Sequence, residues 1–322
     1  MADIDVTALV AQYGTYYDGK DKQDRLYEKV KTKSKTDMVA SAITIEENEY
    51  RASESEFTEV LQPFQKGWTP KGALSFKPAP IALGNFKIDV ELYPDDLKNS
   101  WAEFLTGLEP ADRAQWPLVR WMIEKHIISK IQEDWEKKEV FSGVKAAVTP
   151  GTAAAAGTTI DGLRKQINDA ITAGDITPIT TGAFSTDPVT FVEEIEAFVD
   201  TFPEEYDDID MTLVMSTALA KRYARGYRAK YMTGVVVGGD SVYKVEDTNV
   251  TVEGVPSSKG SEKIYCTPKW NFKKINRNKG NMNMPKVRIG NDPRAVQVFG
   301  DWWMGIGFVI KELVFTNDQD TL

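Results

Sequence analysis

Catalysis needs nucleophiles, bases or metal ligands at workable spacing, and this sequence is poor in all three. It holds one histidine, His126, and one cysteine, Cys266. That inventory excludes a two-histidine metal motif, a Cys/His zinc set and any intrachain disulfide. A Ser/His or Cys/His nucleophile pair would have to use His126. Trp121, Ile128 and Trp135 recur every seven residues, and His126 falls on the opposite side of that helix, where a solvated imidazole is expected. Cys266 reads as a small buried hydrophobe. Asp208 and Asp210 offer paired carboxylates of the kind that hold Mg²⁺, but they sit in an acidic run and read as a solvated loop. The sequence contains no G-x-G-x-x-G and no G-x-x-x-x-G-K-[ST] phosphate cradle. Tyr223, Tyr227 and Tyr231, set among Lys221, Arg222, Arg225 and Arg228, have the composition of a single-strand nucleic-acid platform. With Leu219, their regular spacing reads instead as one packed helix face. No catalytic residue, cofactor or metal is expected.

The chain of 322 residues is 42% hydrophobic, 27% charged and 11% aromatic, enough to bury one large core or two modest ones. No apolar run approaches the roughly 18 residues of a membrane span. The first residues carry acids where a secretory signal carries lysines, so synthesis and use in the cytoplasm are expected. A net charge of −9 argues against the whole chain gripping nucleic acid. The average conceals two runs. Nine acids and no base lie between Glu193 and Asp210, while ten bases and only Glu262 and Asp292 lie between Lys259 and Arg294. Opposite charges on one chain suit head-to-tail contact between copies. Glu193, Glu194, Lys273 and Lys274 are the candidate contact residues from these runs; two solvated faces that never meet are the plain alternative.

The elements follow from spacing and punctuation. Residues 1–40 read as a polar arm with one marginal helix, Lys20 to Val30. From Ser41 to Glu91 a strand opens and an alternating strand, Phe86 to Leu92, closes. Between them Pro63, Pro70, Pro78 and Pro80, with Gly67, Gly72 and Gly84, forbid a helix. The same span carries Phe64, Trp68, Phe76 and Ile81, large apolar groups that something must cover; a neighbouring molecule is one candidate, and a loop folded back on its own core is the plain alternative. About 20 residues per arm would reach roughly 65 Å. Pro94 starts a helix ending at Gly107, and Pro117 starts the longest one, to about Phe141. Gly143 to Thr159 is a small-residue boundary. Beyond it come a helix through Leu163, Ile167 and Ile171, a second capped by Asp187-Pro188, a buried strand Met211 to Met215, and a third helix after Ser216. Strands at Val235–Val237, Val242–Val245 and Val250–Val252 follow, with a hairpin turn at Gly238-Gly239-Asp240. Val287–Ile289, Ala295–Phe299 and Ile306–Phe315 form a closing meander whose natural cover is the long helix.

This order of elements resembles the tailed-bacteriophage major capsid fold, which encapsulin shells and the herpesvirus capsid floor share. Several stretches are similar to such proteins from phages of intestinal bacteria. They are Leu92-Tyr93-Pro94-Asp95-Asp96-Leu97 with Trp101, His126 through Trp135 up to Phe141-Ser142-Gly143, Ile264 through Asn271, Asp292-Pro293-Arg294, and Asp301-Trp302-Trp303-Met304-Gly305. The resemblance implies an α+β chain divided into an N-terminal arm (1–40), an extended E-loop hairpin (41–93), a P-domain (94–160, spine helix 117–141), an inserted A-domain (161–285) and a returning P-domain sheet (286–322). It further implies a non-enzymatic major capsid protein whose pentamers and hexamers build an icosahedral head, assembled in the host bacterial cytoplasm and found in the virion. The implied partners are further copies, portal and separate scaffolding proteins, and packaged double-stranded DNA held without sequence specificity; no membrane is involved. Some relatives fuse subunits through a Lys–Asn bond assisted by a Glu, and no stretch here carries those roles. An encapsulin-like nanocompartment shell, another virion structural protein, and a metal-dependent transferase using Asp208 and Asp210 stand as alternatives.

Overall fold

The computed structural model describes residues 5–17, 35–72, 74–231, 243–278 and 283–320. The expected helix at Lys20 to Val30, the strand at Val235–Val237 and the turn at Gly238-Gly239-Asp240 lie outside them. Two five-stranded sheets, a separate two-stranded ribbon, two large hydrophobic cores and one small one organise the described residues.

The first sheet has five strands: β1 (Ser41–Ile45), β4 (Gly84–Leu92), β9 (Phe272–Arg277), β10 (Asn283–Ile289) and β11 (Val296–Phe308). β11 is its hub, antiparallel to β10, β4 and β9, while β1 adds in parallel on the far side of β9. Alternation along β11 buries Val296, Val298, Trp302, Met304 and Ile306. Their cover is the long helix, as the sequence predicts. It runs over 118–139 in four segments of two alternating registers: α-helical at Leu118–Trp121 and Ile128–Asp134, π-helical at Met122–Ile127 and Trp135–Glu139. Trp121, Ile128 and Trp135 are buried in the first core with the β11 residues. Below the helix end, the buried Glu139 carboxylate accepts the backbone N–H of Gly157 at 2.7 Å and the Thr159 hydroxyl at 3.1 Å. That fastens the far side of the small-residue stretch to the helix.

Two parts of this core depart from expectation. α1 (Val6–Tyr17) is not a loose arm: Val6, Leu9 and Tyr13 are buried in the first core. The helix Leu163–Ala173, expected to open the inserted unit, also packs there through Leu163, Ile167 and Ala170. The short helix α2 (Lys35–Val39) is pinned by polar groups from three elements. The Thr36 hydroxyl donates to Glu136 at 2.7 Å and lies 2.8 Å from the Ser257 hydroxyl, and Asp37 pairs with Lys274.

The second sheet runs β12 (Phe315–Thr316), β8 (Tyr265–Pro268), β5 (Met211–Ser216), β7 (Val250–Val255), β6 (Tyr243–Lys244). Two helices cover it, Pro188–Val199 and Thr217–Tyr231. Asp187 caps the former, accepting the Thr190 N–H at 2.9 Å. Gly226 lets the two helices touch: a Cβ there would stand 1.9 Å from the Pro188 carbonyl oxygen. The expected strands Ala295–Phe299 and Ile306–Phe315 are not separate arms of a meander: Val296–Phe308 runs as one strand through Gly300-Asp301, and past it only Phe315–Thr316 is strand again, as β12, which pairs with β8 in the second sheet.

Candidate self-assembly surface

The residues that catalysis would need are engaged in packing or left dispersed. Cys266 is fully buried beside Met211, and burial pushes its thiol up, away from reactivity. His126 is exposed as expected, yet its ring meets Trp121 at 4.3 Å. The π-helical register brings residue i+5 over residue i, which a uniform α-helical wheel does not show. Asp208 and Asp210 are exposed, and among the described residues no three His, Cys, Asp or Glu side chains gather closely enough to hold a metal ion. The tyrosines form the packed face expected of them: Tyr223 is buried, and the Tyr223, Tyr227 and Tyr231 rings follow one another at 5.9 and 5.0 Å. Among the described residues no helix is long and apolar enough to cross a membrane.

What stands out instead is a projection. β2 (Glu49–Phe57) and β3 (Leu74–Ala82) pair only with each other, from Glu49 opposite Ala82 to Phe57 opposite Leu74. Pro78 and Pro80 fit here because each strand of a two-stranded ribbon has an unpaired side. The ribbon is shorter than expected, since β1 and β4, taken as its ends, belong to the first sheet; nine residues per arm span about 30 Å. At its tip Leu61, Phe64 and Trp68 are 88%, 94% and 93% exposed. The tip is shaped by polar bonds across it. Gln62 Nε2 donates to the Thr69 carbonyl at 2.8 Å, Gln65 Nε2 to the Thr69 hydroxyl at 2.6 Å, and Lys71 Nζ to the Leu61 carbonyl at 2.7 Å. Polar groups therefore hold one another while the large apolar groups face solvent. Covering Leu61 and Phe64 alone would contribute about 1.5–3 kcal/mol each.

The other candidate contact residues divide. Ile81, at the ribbon's base, is 6% exposed and packs with Leu83 and Ile275, so its own chain covers it. The side chain of Phe76 lies outside the described ones. Lys274 is buried against Asp37 and unavailable to a neighbour, whereas Lys273 is partly exposed. Glu193 is exposed; Glu194 is turned inward, accepting the Ser185 N–H at 2.9 Å. Lys263 of the basic run is also buried, its ammonium donating to the Gln319 carbonyl at 2.8 Å, and burial lowers its pKa. A run of like residues in sequence is thus split between core and surface by strand alternation, which charge counting along the chain ignores.

No protein-family model and no curated protein sequence matches this chain. Solved structures do. A chain of the satellite phage P4 procapsid, a structure that includes the size determination (Sid) protein, superposes with a TM-score of 0.60 at 11% identity, covering 91% of this chain and 89% of that one. A chain of the capsid of the native GTA particle gives 0.54 at 10% identity over 89% and 90%. This is the phage capsid fold. A chain from Microbacterium phage Oxtober96 agrees, at 0.50 and 14% identity over 89% and 91%. Sequence identity this low carries the fold and nothing finer.

Proposed function

We propose that this chain is a shell-forming capsid protein, and that its copies build the icosahedral head of a tailed phage around double-stranded DNA. One observation carries the reading: a two-stranded ribbon, joined to no other sheet, presents Phe64 and Trp68 almost wholly to water. A lone soluble molecule gains nothing from such a tip; a molecule that straps a neighbour gains its burial free energy at every contact. Capsid fold and exposed strap together favour self-association into pentamers and hexamers, where many modest interfaces add up in a closed particle. A net charge of −9 suits a container that must not grip packaged phosphates strongly. Portal and separate scaffolding proteins are the expected partners, and the virion the final location.

Electron microscopy of the purified chain, alone and co-expressed with the products of adjacent genes, tests this. Closed shells or five- and six-membered rings are expected, with terminase and portal genes nearby. A monodisperse monomer under every condition would overturn the reading. Closed shells from a locus with a peroxidase or ferritin-like gene instead would assign the particle to an encapsulin-like compartment.

A further inference from the structure

We propose that the two ends of the second sheet are complementary charged faces, and that the acidic end of one copy seats against the basic cleft of the next. This contact rests on the shell-forming reading and names the surfaces that meet.

Strand β5 sets the geometry. Beside its first residue, Met211, a cleft of about 540 Å³ is bordered by Asp200, Glu204, Asp207, Glu246 and Asp247, with Lys244 as the one cation among its lining residues. Beside its last residue, Ser216, a cleft of about 680 Å³ is bordered by Lys137, Arg164, Lys221 and Lys259, with Asp320 as the one acid among its lining residues. Six residues of strand hold the two clefts roughly 17–20 Å apart.

The covering helices reinforce the separation. Pro188–Val199 ends at the acidic cleft, which Val199 and Asp200 line, and adds the partial negative charge of its carbonyl end. Thr217–Tyr231 begins at the basic cleft, which Thr217 and Ala218 line, and adds partial positive charge there. Among the described residues neither face is fully neutralised. Asp200, Glu204, Asp207 and Asp247 are exposed and make no ion pair among the described residues. At the basic cleft Lys137 and Arg164 already hold Glu133 and Asp320, but Lys221 and Lys259 are exposed and make no ion pair among the described residues. Acids crowded at this density repel one another, and an opposing basic face removes that repulsion. Unlike faces at opposite ends of one rigid sheet make a head-to-tail contact, and head-to-tail contacts close into rings when the rotation per step allows. A second copy of this chain supplies the matching face.

Charge-swapped full-length chains test the contact. Lys221→Glu with Lys259→Glu gives a chain acidic at both ends; Asp200→Lys with Glu204→Lys and Asp207→Lys gives one basic at both. All five side chains are exposed, so melting temperatures close to that of the unaltered chain are expected. Each variant alone should lose at least about tenfold in rings counted by electron microscopy at about 0.1 M salt, where the screening length is roughly 10 Å. An equimolar mixture should recover rings, and because the two species must alternate, only even-membered ones: six-fold particles without five-fold particles. Variants that each assemble like the unaltered chain, or folded variants whose mixture stays monomeric, overturn the contact while leaving the shell reading intact. An unaltered chain that never assembles overturns the shell reading, and the contact with it. Should a swapped variant fail to melt cooperatively, the milder Lys221→Gln with Lys259→Gln is read by salt. Assembly of the unaltered chain should fall more steeply with added salt than assembly of that pair, and equal slopes overturn the contact.

Discussion

Trp135 of the long helix meets Phe86 of β4 edge to face, with ring centroids 5.6 Å apart, and Phe86 in turn stacks on Trp302 of β11 at 6.2 Å. Helix, edge strand and hub strand are tied by this one column of rings. Trp135→Ala would leave a cavity between helix and sheet and is expected to cost about 3–5 kcal/mol. A fall in the urea midpoint, with unchanged slope, measures it; a midpoint unmoved would mean that the helix is held elsewhere.

Gly226 makes a second sharp demand. A methyl group there would meet the Pro188 carbonyl, a backbone atom that cannot swing away. Gly226→Ala is therefore expected to destabilise the chain by about 1–3 kcal/mol through overpacking, despite alanine's better helix propensity. Thermal unfolding would check this, and an equal or higher melting temperature would contradict the close crossing.

Stability and assembly should separate at the ribbon tip. Phe64→Ala combined with Trp68→Ala removes two almost fully exposed side chains, so the change in folding stability should stay within about 0.5 kcal/mol. Particle yield by electron microscopy should drop sharply in the same preparation. A chain that still assembles at full yield would show that the tip's apolar groups contribute nothing to the shell.

Alkaline pH should loosen the second sheet's helix. The Tyr227 hydroxyl donates to Glu246 at 2.7 Å; this bond, aided by burial, pushes its pKa up to about 12. A raised folded pKa means that the stabilisation is full below the unfolded phenol's value of about 10 and drains as pH rises through the folded value. Denaturant unfolding followed from pH 9 to about 12 should show a loss that Tyr227→Phe reduces. Identical slopes for the two chains would exclude this hydroxyl as the cause.

Much of this was legible from local rules. The Asp187-Pro188 cap, the Trp121–Ile128–Trp135 stripe and the exposed aromatic tip each depend on spacing or on proline, which act within a few residues. What the sequence hid depends on distant partners. Ile81 and Lys274 look like surface candidates until distant parts of the chain cover them, Ile275 of β9 the one and Asp37 of α2 the other. Val6, Leu9 and Tyr13 do fall at helical spacing, but three apolar residues amid polar ones passed for an arm because their cover lies in the long helix and β10. The His126–Trp121 contact needed the π-helical register, which no residue type announces. The charged clefts required knowing which acids and bases are already satisfied at home.

The position of the hub strand governs when the first sheet can close. β11 occupies residues 296–308 of 322, and its neighbour β4 lies about two hundred residues earlier. Until β11 is in place, β4 waits with its hydrogen-bonding edge unpaired and the long helix lacks the hub of the sheet it covers. Closure of this sheet is thus a long-range event, slow by virtue of the chain that must lie between its partners. A chain lacking β11 has neither the partner of β4 nor the sheet beneath Trp121, Ile128 and Trp135.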